Sequence, residues 1–222
     1  MANLTWYSTE KADRTFATKV ELEQLRKATE GRTPDVSALA TKEEVKGMWS
    51  LSLRDSEGKR LYMATFALVD GKLLAASIQG PAGEEAKDLV RSLTKQLHGL
   101  RPQQLMVTAL QYFSASLNLD GIIGIAQEHQ VKLRWRLKKR VKMNYDLFWQ
   151  ENGATLGDDG YWHLPQIPPR KDLAEIESKK RSMYRKRYQM LDNMAAEMQA
   201  CFQKLDSAFS DDLCHLKNKQ AF

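Results

Sequence analysis

The sequence predicts an α+β fold: a mixed sheet flanked by helices, followed by a long basic and amphipathic C-terminal helix. Three observations predict it. Strand-like alternation broken by hairpin turns fills residues 48–78. Two stretches with helical period follow at 85–97 and 102–117, and then a short apolar run, Ile122 to Ala126, of the kind found in buried central strands. Near the C-terminus Met190, Leu191, Met194, Met198, Cys201, Phe202 and Leu205 form a helical stripe behind a cluster of lysines and arginines.

The elements are justified in chain order. Residues 1–45 read as an N-terminal helical arm, with Phe16, Val20, Leu22 and Leu25 on a short helix that ends near Gly31. Met48 to Arg54 alternates apolar and polar residues, Asp55 to Gly58 is a hairpin turn, and Arg60 to Val69 is the return strand. Asp70-Gly71 makes a second turn before Leu73 to Ile78, which completes a three-stranded meander. The bend Gln79 to Glu84 feeds the helix 85–97, which His98-Gly99 stops; Pro102 suits the first turn of the next helix. Val131 to Leu137 alternates cleanly and prefers strand, and an aromatic helix bearing Tyr145, Phe148 and Trp149 stops at Asn152-Gly153. The turn Gly157 to Gly160 leads into a short strand, Tyr161 to Leu164, ended by Pro165, Pro168 and Pro169. The last helix starts near Lys171 or Asp172, and Ser210 to Phe222 reads as a frayed tail. The core is thus expected at 46–170 and the C-terminal helix at 171–222.

A chain of 222 residues with 42% hydrophobic and 28% charged residues buries one sizeable core. No apolar run approaches the roughly 20 residues of a membrane span, and MANLTWYSTEKADR has no apolar signal region, so a cytoplasmic address is expected. Cys201 and Cys214 have no CxxC spacing and the four histidines are scattered, which gives no zinc pattern and no expected metal. The net charge of +6 favours an anionic partner. The charge is concentrated in Val131 to Met143 and in Ser178 to Arg187. Motifs of nucleic-acid readers are absent, which ranks nucleic acid below a phosphate-bearing ligand, an acidic protein or an anionic membrane surface.

Several short motifs recur in one order. Tyr145-Asp146, Phe148-Trp149, Glu151 and Gly153 precede Gly160-Tyr161-Trp162 and Leu164-Pro165; Ile176, Ser178 to Ser182, Tyr184-Arg185 and Arg187-Tyr188 follow. Upstream stand Gln79-Gly80, Leu93-Thr94-Lys95 and Leu97 to Pro102. This order resembles the bacterial VirK/YbjX family over roughly Leu61 to Leu191. The resemblance implies a link to envelope stress and virulence in Gram-negative bacteria and brings no established activity. Members of that family extend further at the N-terminus, so the chain resembles a short form.

The succession of elements also resembles the GNAT-type acyltransferase fold. There, a loop after the fourth strand and the following helix N-terminus hold a pyrophosphate. The resemblance places Gln79, Gly80 and Gly83 at that loop and implies acyl-CoA or the phosphopantetheine of an acyl-carrier protein as donor. The chain departs from the pattern in two places. Ala82 and Glu84 occupy the loop's small positions while Pro81 removes an N–H, and Trp149 stands where a proton-donating tyrosine is common. Lys179, Lys180, Arg181, Arg185, Lys186 and Arg187 wrap the last helix and are expected to neutralise the bound phosphate, or to dock an acidic carrier protein. Acceptor activation would fall to Glu151 or to His98, the side chain type suited to general-base work near neutral pH. The bland alternatives are a solvated helix position for Glu151 and a helix C-terminus rich in cations for Lys95, His98 and Arg101. The rival function is a non-catalytic adaptor whose basic helix binds an acidic protein or an anionic membrane.

Overall fold

The computed structural model describes residues 3–8, 49–129 and 143–218, with backbone alone for 3–8 and 203–218. Seven strands form one sheet: β1 (Asn3–Ser8), β2 (Trp49–Arg54), β3 (Arg60–Val69), β4 (Lys72–Gln79), β5 (Gly121–Ile125), β6 (Thr155–Leu156) and β7 (Tyr161–Leu164). Their spatial order is β1-β2-β3-β4-β5-β7-β6, with β4 and β5 parallel and the other neighbours antiparallel. Among the described residues the helices are α1 (Ala86–Gln96), α2 (Pro102–Ser116), α3 (Tyr145–Glu151) and α4 (Ser178–Asn218). This is the expected α+β fold: a mixed sheet flanked by helices with a long C-terminal helix.

Local chemistry explains most boundaries. Asp70 and Gly71 both take positive φ, 48° and 75°, as a two-residue hairpin turn between right-twisted strands requires. Gly153, at φ 81°, ends α3, and its amide bonds the Gln150 carbonyl. Pro102 opens α2, where its missing N–H costs nothing. Asn144 caps α3 by accepting the Leu147 amide at 3.2 Å.

Three expectations are corrected. Asn3–Ser8 was assigned to the helical arm, but it pairs with β2 from Asn3↔Arg54 to Ser8↔Trp49 and belongs to the sheet. The last helix starts at Ser178 instead of near Lys171, because Asp172 turns the chain by accepting the Ala174 amide at 2.8 Å. The tail read as frayed keeps a helical backbone through Asn218, since no Gly or Pro interrupts residues 178–218. The arm helix at Phe16 to Leu25 and the basic strand at Val131 to Leu137 lie outside the described residues.

Alternation builds a sheet with two buried faces. One face carries Trp49, Leu51, Leu53, Ala64, Phe66, Leu73, Ala75, Ile122, Trp162 and Leu164. The other carries Ala67, Val69, Leu74, Ile123 and Ile125. α2 lies across the first face and α4 packs on α2, so α2 is buried along most of its length. Phe113 stacks edge-on against Phe66 below and Phe202 above, at 5.0 and 5.4 Å. Trp149 is fully buried over Gly124, where an added Cβ would stand 2.5 Å from the indole, and its Nε1–H donates to the Ile125 carbonyl at 2.9 Å.

Two predictions follow from this packing. Gly124→Ala forces the Trp149 ring outward and should lower stability by about 1–3 kcal/mol, read as an earlier denaturant midpoint with unchanged slope. At the β6–β7 hairpin, the hydrogen bond with His163 at 2.9 Å holds the Asp159 carboxyl below its ordinary value. A depressed carboxyl stabilises the fold above its unfolded-state pKa and loses that contribution as pH falls through the folded value. The stability gap between the natural chain and Asp159→Asn should therefore be steady above about pH 4 and close below it, by urea titration across acid pH.

Candidate functional site

The bend between β4 and α1 is open to solvent. Gly80 is required there because a Cβ would meet the buried Tyr62 ring at 2.6 Å; Gly83, at φ 103°, has nothing within 4 Å of where its Cβ would be. The Ala86 amide reaches the Gly83 carbonyl at 3.4 Å, and Glu85 caps α1 without a side-chain hydrogen bond. Glu84 and Glu85 flank the bend and Asp88 sits in the first turn, so carboxylates already supply the negative charge that a helix N-terminus favours.

Beyond the bend, β4 leaves β5. The parallel pairing runs from Lys72↔Gly121 to Ala75↔Gly124 and stops. Immediately after it, Phe66 faces Ala75 while Thr65 faces Ser77, so Ala76 is a bulge that bends β4 away. The gap is filled from α3. The phenol oxygen of Tyr145 accepts the Ile78 N–H at 3.4 Å and donates to the Ile78 carbonyl at 3.5 Å. Burial pushes the Tyr145 phenol up, which keeps it protonated. Asp146 and Gln127 fix the entry to α3: Gln127 Oε1 accepts the Tyr145 amide at 2.6 Å, and Asp146 Oδ1 accepts both the Gln127 amide and the Trp162 indole N–H at 2.8 Å. Phe148 and Trp149 complete a ring cluster with Tyr145, and their packing role agrees with the sequence reading.

The two residues expected to activate an acceptor lie apart. Glu151 lines a small groove of about 320 Å³ with Gln103, Met143, Asn144, Leu147 and Phe148, and faces Arg101 at 3.9 Å across solvent. His98 lines a different groove, between the C-terminal half of α1 and the first turns of α4.

That second groove gathers most of the convergent charge. Its volume is about 690 Å³, and Arg91, Lys95 and His98 on one wall meet Lys179, Ser182 and Lys186 on the other, over Thr94, Gly99 and Met183. Among the described residues no carboxylate lines it. Arg91 and Lys179 have exposed ion pairs at its rim, with Asp88 at 3.2 Å and Glu177 at 3.4 Å, which cost little to exchange for a ligand. Lys95 and Lys186 have no carboxylate partner among the described residues.

The remaining cations of the basic helix divide by direction. Arg181 turns back, giving Nε–H to the Ile176 carbonyl at 2.8 Å and Nη2–H to Ala174 at 3.3 Å, and so fastens the connection into α4. Lys180 pairs with Glu177 at 3.2 Å, and Arg185 is exposed. Arg187 shapes the groove without lining it. Its Nε and Nη2 both donate to the His98 carbonyl, at 3.1 and 2.9 Å, and its guanidinium lies 4.2 Å from the Tyr184 ring centroid. His98 stands at φ 51°, with its amide on the Lys95 carbonyl and the Gly99 amide on Thr94, a C-terminal cap that needs two left-handed residues. A Cβ on Gly99 would press Arg187 at 2.9 Å and Met183 at 3.0 Å. Arg170 clamps the preceding loop through Asp192 at 2.6 Å and Tyr112 at 3.1 Å; hydrogen bonding to Asp192 pushes its pKa up.

Of the sequence-derived residues, then, His98 and Lys179 share one groove, Glu151 lines another, and Gln79, Gly80 and Gly83 line neither. Lys186 belongs to the cluster expected to neutralise a bound phosphate and Lys95 is read from the sequence as a cation at a helix end, whereas Arg91 is not singled out there. The signal was present in the four-residue spacing of Arg91 and Lys95, and in Lys179, Ser182 and Lys186 at three- and four-residue steps along one helix face.

Comparison with known proteins adds the following. A family model described as a protein of unknown function (DUF535) matches residues 6–200. An uncharacterized protein of Haemophilus influenzae is 42% identical over 154 residues, 69% of this chain and 52% of that protein. The uncharacterized protein YbjX of Escherichia coli is 34% identical over 160 residues, 69% of this chain and 48% of that protein. The chain spans about half the length of the curated relatives it matches. Among solved structures, a cAMP-binding acyltransferase from Mycobacterium smegmatis is similar over 87% of this chain and 52% of its own, at 10% identity and a TM-score of 0.36, a likeness too slight to carry an argument. No helix among the described residues is long and apolar enough to cross a membrane.

Arg187→Ala should remove the fork that holds the His98 carbonyl, at a cost of about 1–2 kcal/mol after allowance for partial exposure. Arg187→Lys should recover less than half of that, because an ammonium cannot make the two parallel bonds. Urea unfolding of the three chains checks both statements.

Proposed function

The chain belongs to the DUF535 family, with which its VirK/YbjX-like motifs agree, and on that footing we propose that it binds a phosphate-bearing ligand in the groove between α1 and α4. The observation that carries this reading is the convergence of Arg91, Lys95, His98, Lys179 and Lys186 on one groove without a lining carboxylate. Like charges gathered this way repel one another, and an anion is what offsets the repulsion. Ser182 and Thr94 add hydroxyl oxygens beside the cations. The Thr94 hydroxyl donates to the Val90 carbonyl at 2.7 Å, which leaves its oxygen able to accept from a ligand hydroxyl. His98 and Ser182 both line the groove, but among the described residues no hydrogen bond joins them, and the reading is one of binding. An envelope-associated role, in keeping with the family resemblance, would set this groove against acidic carrier proteins or anionic headgroups.

A second reading, acyl transfer from acyl-CoA or an acyl-carrier-protein phosphopantetheine, is favoured by one specific observation. β4 parts from β5 after Ala75↔Gly124, beside a bend that is exposed to solvent. Under it, Gln79, Gly80 and Gly83 would present the bend to the pyrophosphate, with Glu151 or His98 serving the acceptor. Tyr145 stands against it as built, since its hydroxyl already satisfies both polar groups of Ile78. The donor would have to displace that phenol.

Thermal shift separates the two. Inorganic pyrophosphate at a hundred times its dissociation constant should stabilise the native chain by about 2.7 kcal/mol, or roughly 5–10 °C in Tm for a domain of this size. Lys95→Glu with Lys186→Glu should erase the shift, and a pyrophosphate shift that survives both reversals would overturn the groove reading. Under the transfer reading CoA should instead stabilise more than pyrophosphate does, and the excess should survive the two charge reversals.

A further inference from the structure

The groove has more charge, spread over more length, than one phosphate can use. Arg91 and Lys95 lie four residues apart on α1, about 6 Å along the axis, and Lys179 and Lys186 lie seven apart on α4, about 10 Å. A single phosphoryl group presents three oxygens on one phosphorus and meets only the cations at one end. The volume of about 690 Å³ is that of a site for a ligand of drug-like size, not for a lone oxyanion.

The lining also says what the ligand lacks. Among the described residues no tyrosine, tryptophan or phenylalanine lines the groove, and its one ring is the His98 imidazole, although two tyrosines stand on the same stretch of α4. Tyr184 is spent beneath the Arg187 guanidinium, and the Tyr188 hydroxyl accepts the Lys171 amide at 3.1 Å and donates to the Lys171 carbonyl at 3.0 Å. A nucleobase would find the His98 imidazole as its one ring to stack on, a smaller platform than a phenol or an indole. What remains between the cations is hydroxyl and thioether: Thr94, Ser182 and Met183. Hydroxyls that both donate and accept suit the hydroxyls of a polyol.

Resting on the anion-binding reading above, we infer that the α1–α4 groove takes a base-free, bis-phosphorylated polyol or sugar, one phosphoryl group engaging Lys95 and Arg91 and the other Lys186 and Lys179. Such chemistry occurs as a free sugar bisphosphate and as the headgroup of a doubly phosphorylated lipid.

Isothermal titration of the full chain with fructose 1,6-bisphosphate, fructose 6-phosphate, ADP, pyrophosphate and inorganic phosphate tests it. The bisphosphate should bind at least about tenfold more tightly than the monophosphate, the worth of one further charge-assisted contact. Lys95→Ala and Lys186→Ala are exposed changes, and each should lose most of that tenfold advantage. Vesicles of phosphatidylcholine containing cardiolipin separate the lipid source from the soluble one. Their retention, with matched phosphatidylglycerol vesicles released and fructose 1,6-bisphosphate competing, assigns the headgroup; release of both vesicles, with tight soluble binding, assigns the free sugar. Equal affinity for mono- and bisphosphate overturns the inference, as does ADP binding more tightly than pyrophosphate. In both cases binding of simple phosphate would leave the anion-binding reading standing, whereas no response to any of these anions would remove that reading first.

Discussion

One guanidinium joins two helices that are remote in sequence. Arg187 lies on Tyr184 and gives two N–H groups to a carbonyl at the end of α1, eighty-nine positions earlier in the chain. The end of a helix leaves carbonyls without partners, and a cation is what that end favours. Here the cation comes from a neighbouring helix, so capping α1 and docking α4 are one event. The walls of the basic groove inherit their spacing from this contact. With α1 and α4 fastened through the His98 carbonyl, the lysines beside the joint are held close despite their mutual repulsion.

The mixed sheet supplies the platform, and the gap where β4 leaves β5 is filled. In a mixed sheet with β4 and β5 parallel, divergence of those strands exposes a run of backbone polar groups that must be satisfied. The bulge at Ala76 creates the divergence and Tyr145 satisfies the backbone at Ile78. Trp149, one turn further along α3, has committed its N–H to Ile125 and lies against Gly124. The aromatic helix thus behaves as a plug. The convergent charge of the described residues lies instead outside the sheet, on the helix layer.

Much of the fold was legible because it is written in local chemistry. Asp70-Gly71, Pro102 and Gly153 each mark a boundary through a backbone preference of the residue itself, and alternation along β2 named Leu51 and Leu53, although Ser50 and Ser52 on the opposite face are buried as well. The bulge was not legible, since alanine at position 76 announces nothing and the extra residue shows only against its partner strand. The start of α4 was misplaced because an Asx turn at Asp172 outcompetes helix in a stretch with good helix formers. At the site, the cluster from Lys179 to Arg187 was visible but its partition was not. Which cations reach the groove, which fold back to the loop and which cap another helix depends on the rotation of α4 against α1, a tertiary quantity. Tyr145 was read as packing, and nothing near it in sequence points to Ile78.

That rotation carries a consequence for how this chain tolerates change in length. Because Gly99 lacks a side chain, Met183 and Arg187 seat directly against it, like a key bitted for one lock. Losing or gaining one residue between the Asp172 turn and Met183 would swing every later side chain on α4 by about 100°. A loss would bring Tyr184 and Tyr188 to the glycine and a gain would bring Ser182 and Lys186, and either would turn Lys186 out of its place on the groove wall. Homologous chains that keep the groove should therefore vary freely in the identity of their exposed residues across this stretch and hardly at all in their number.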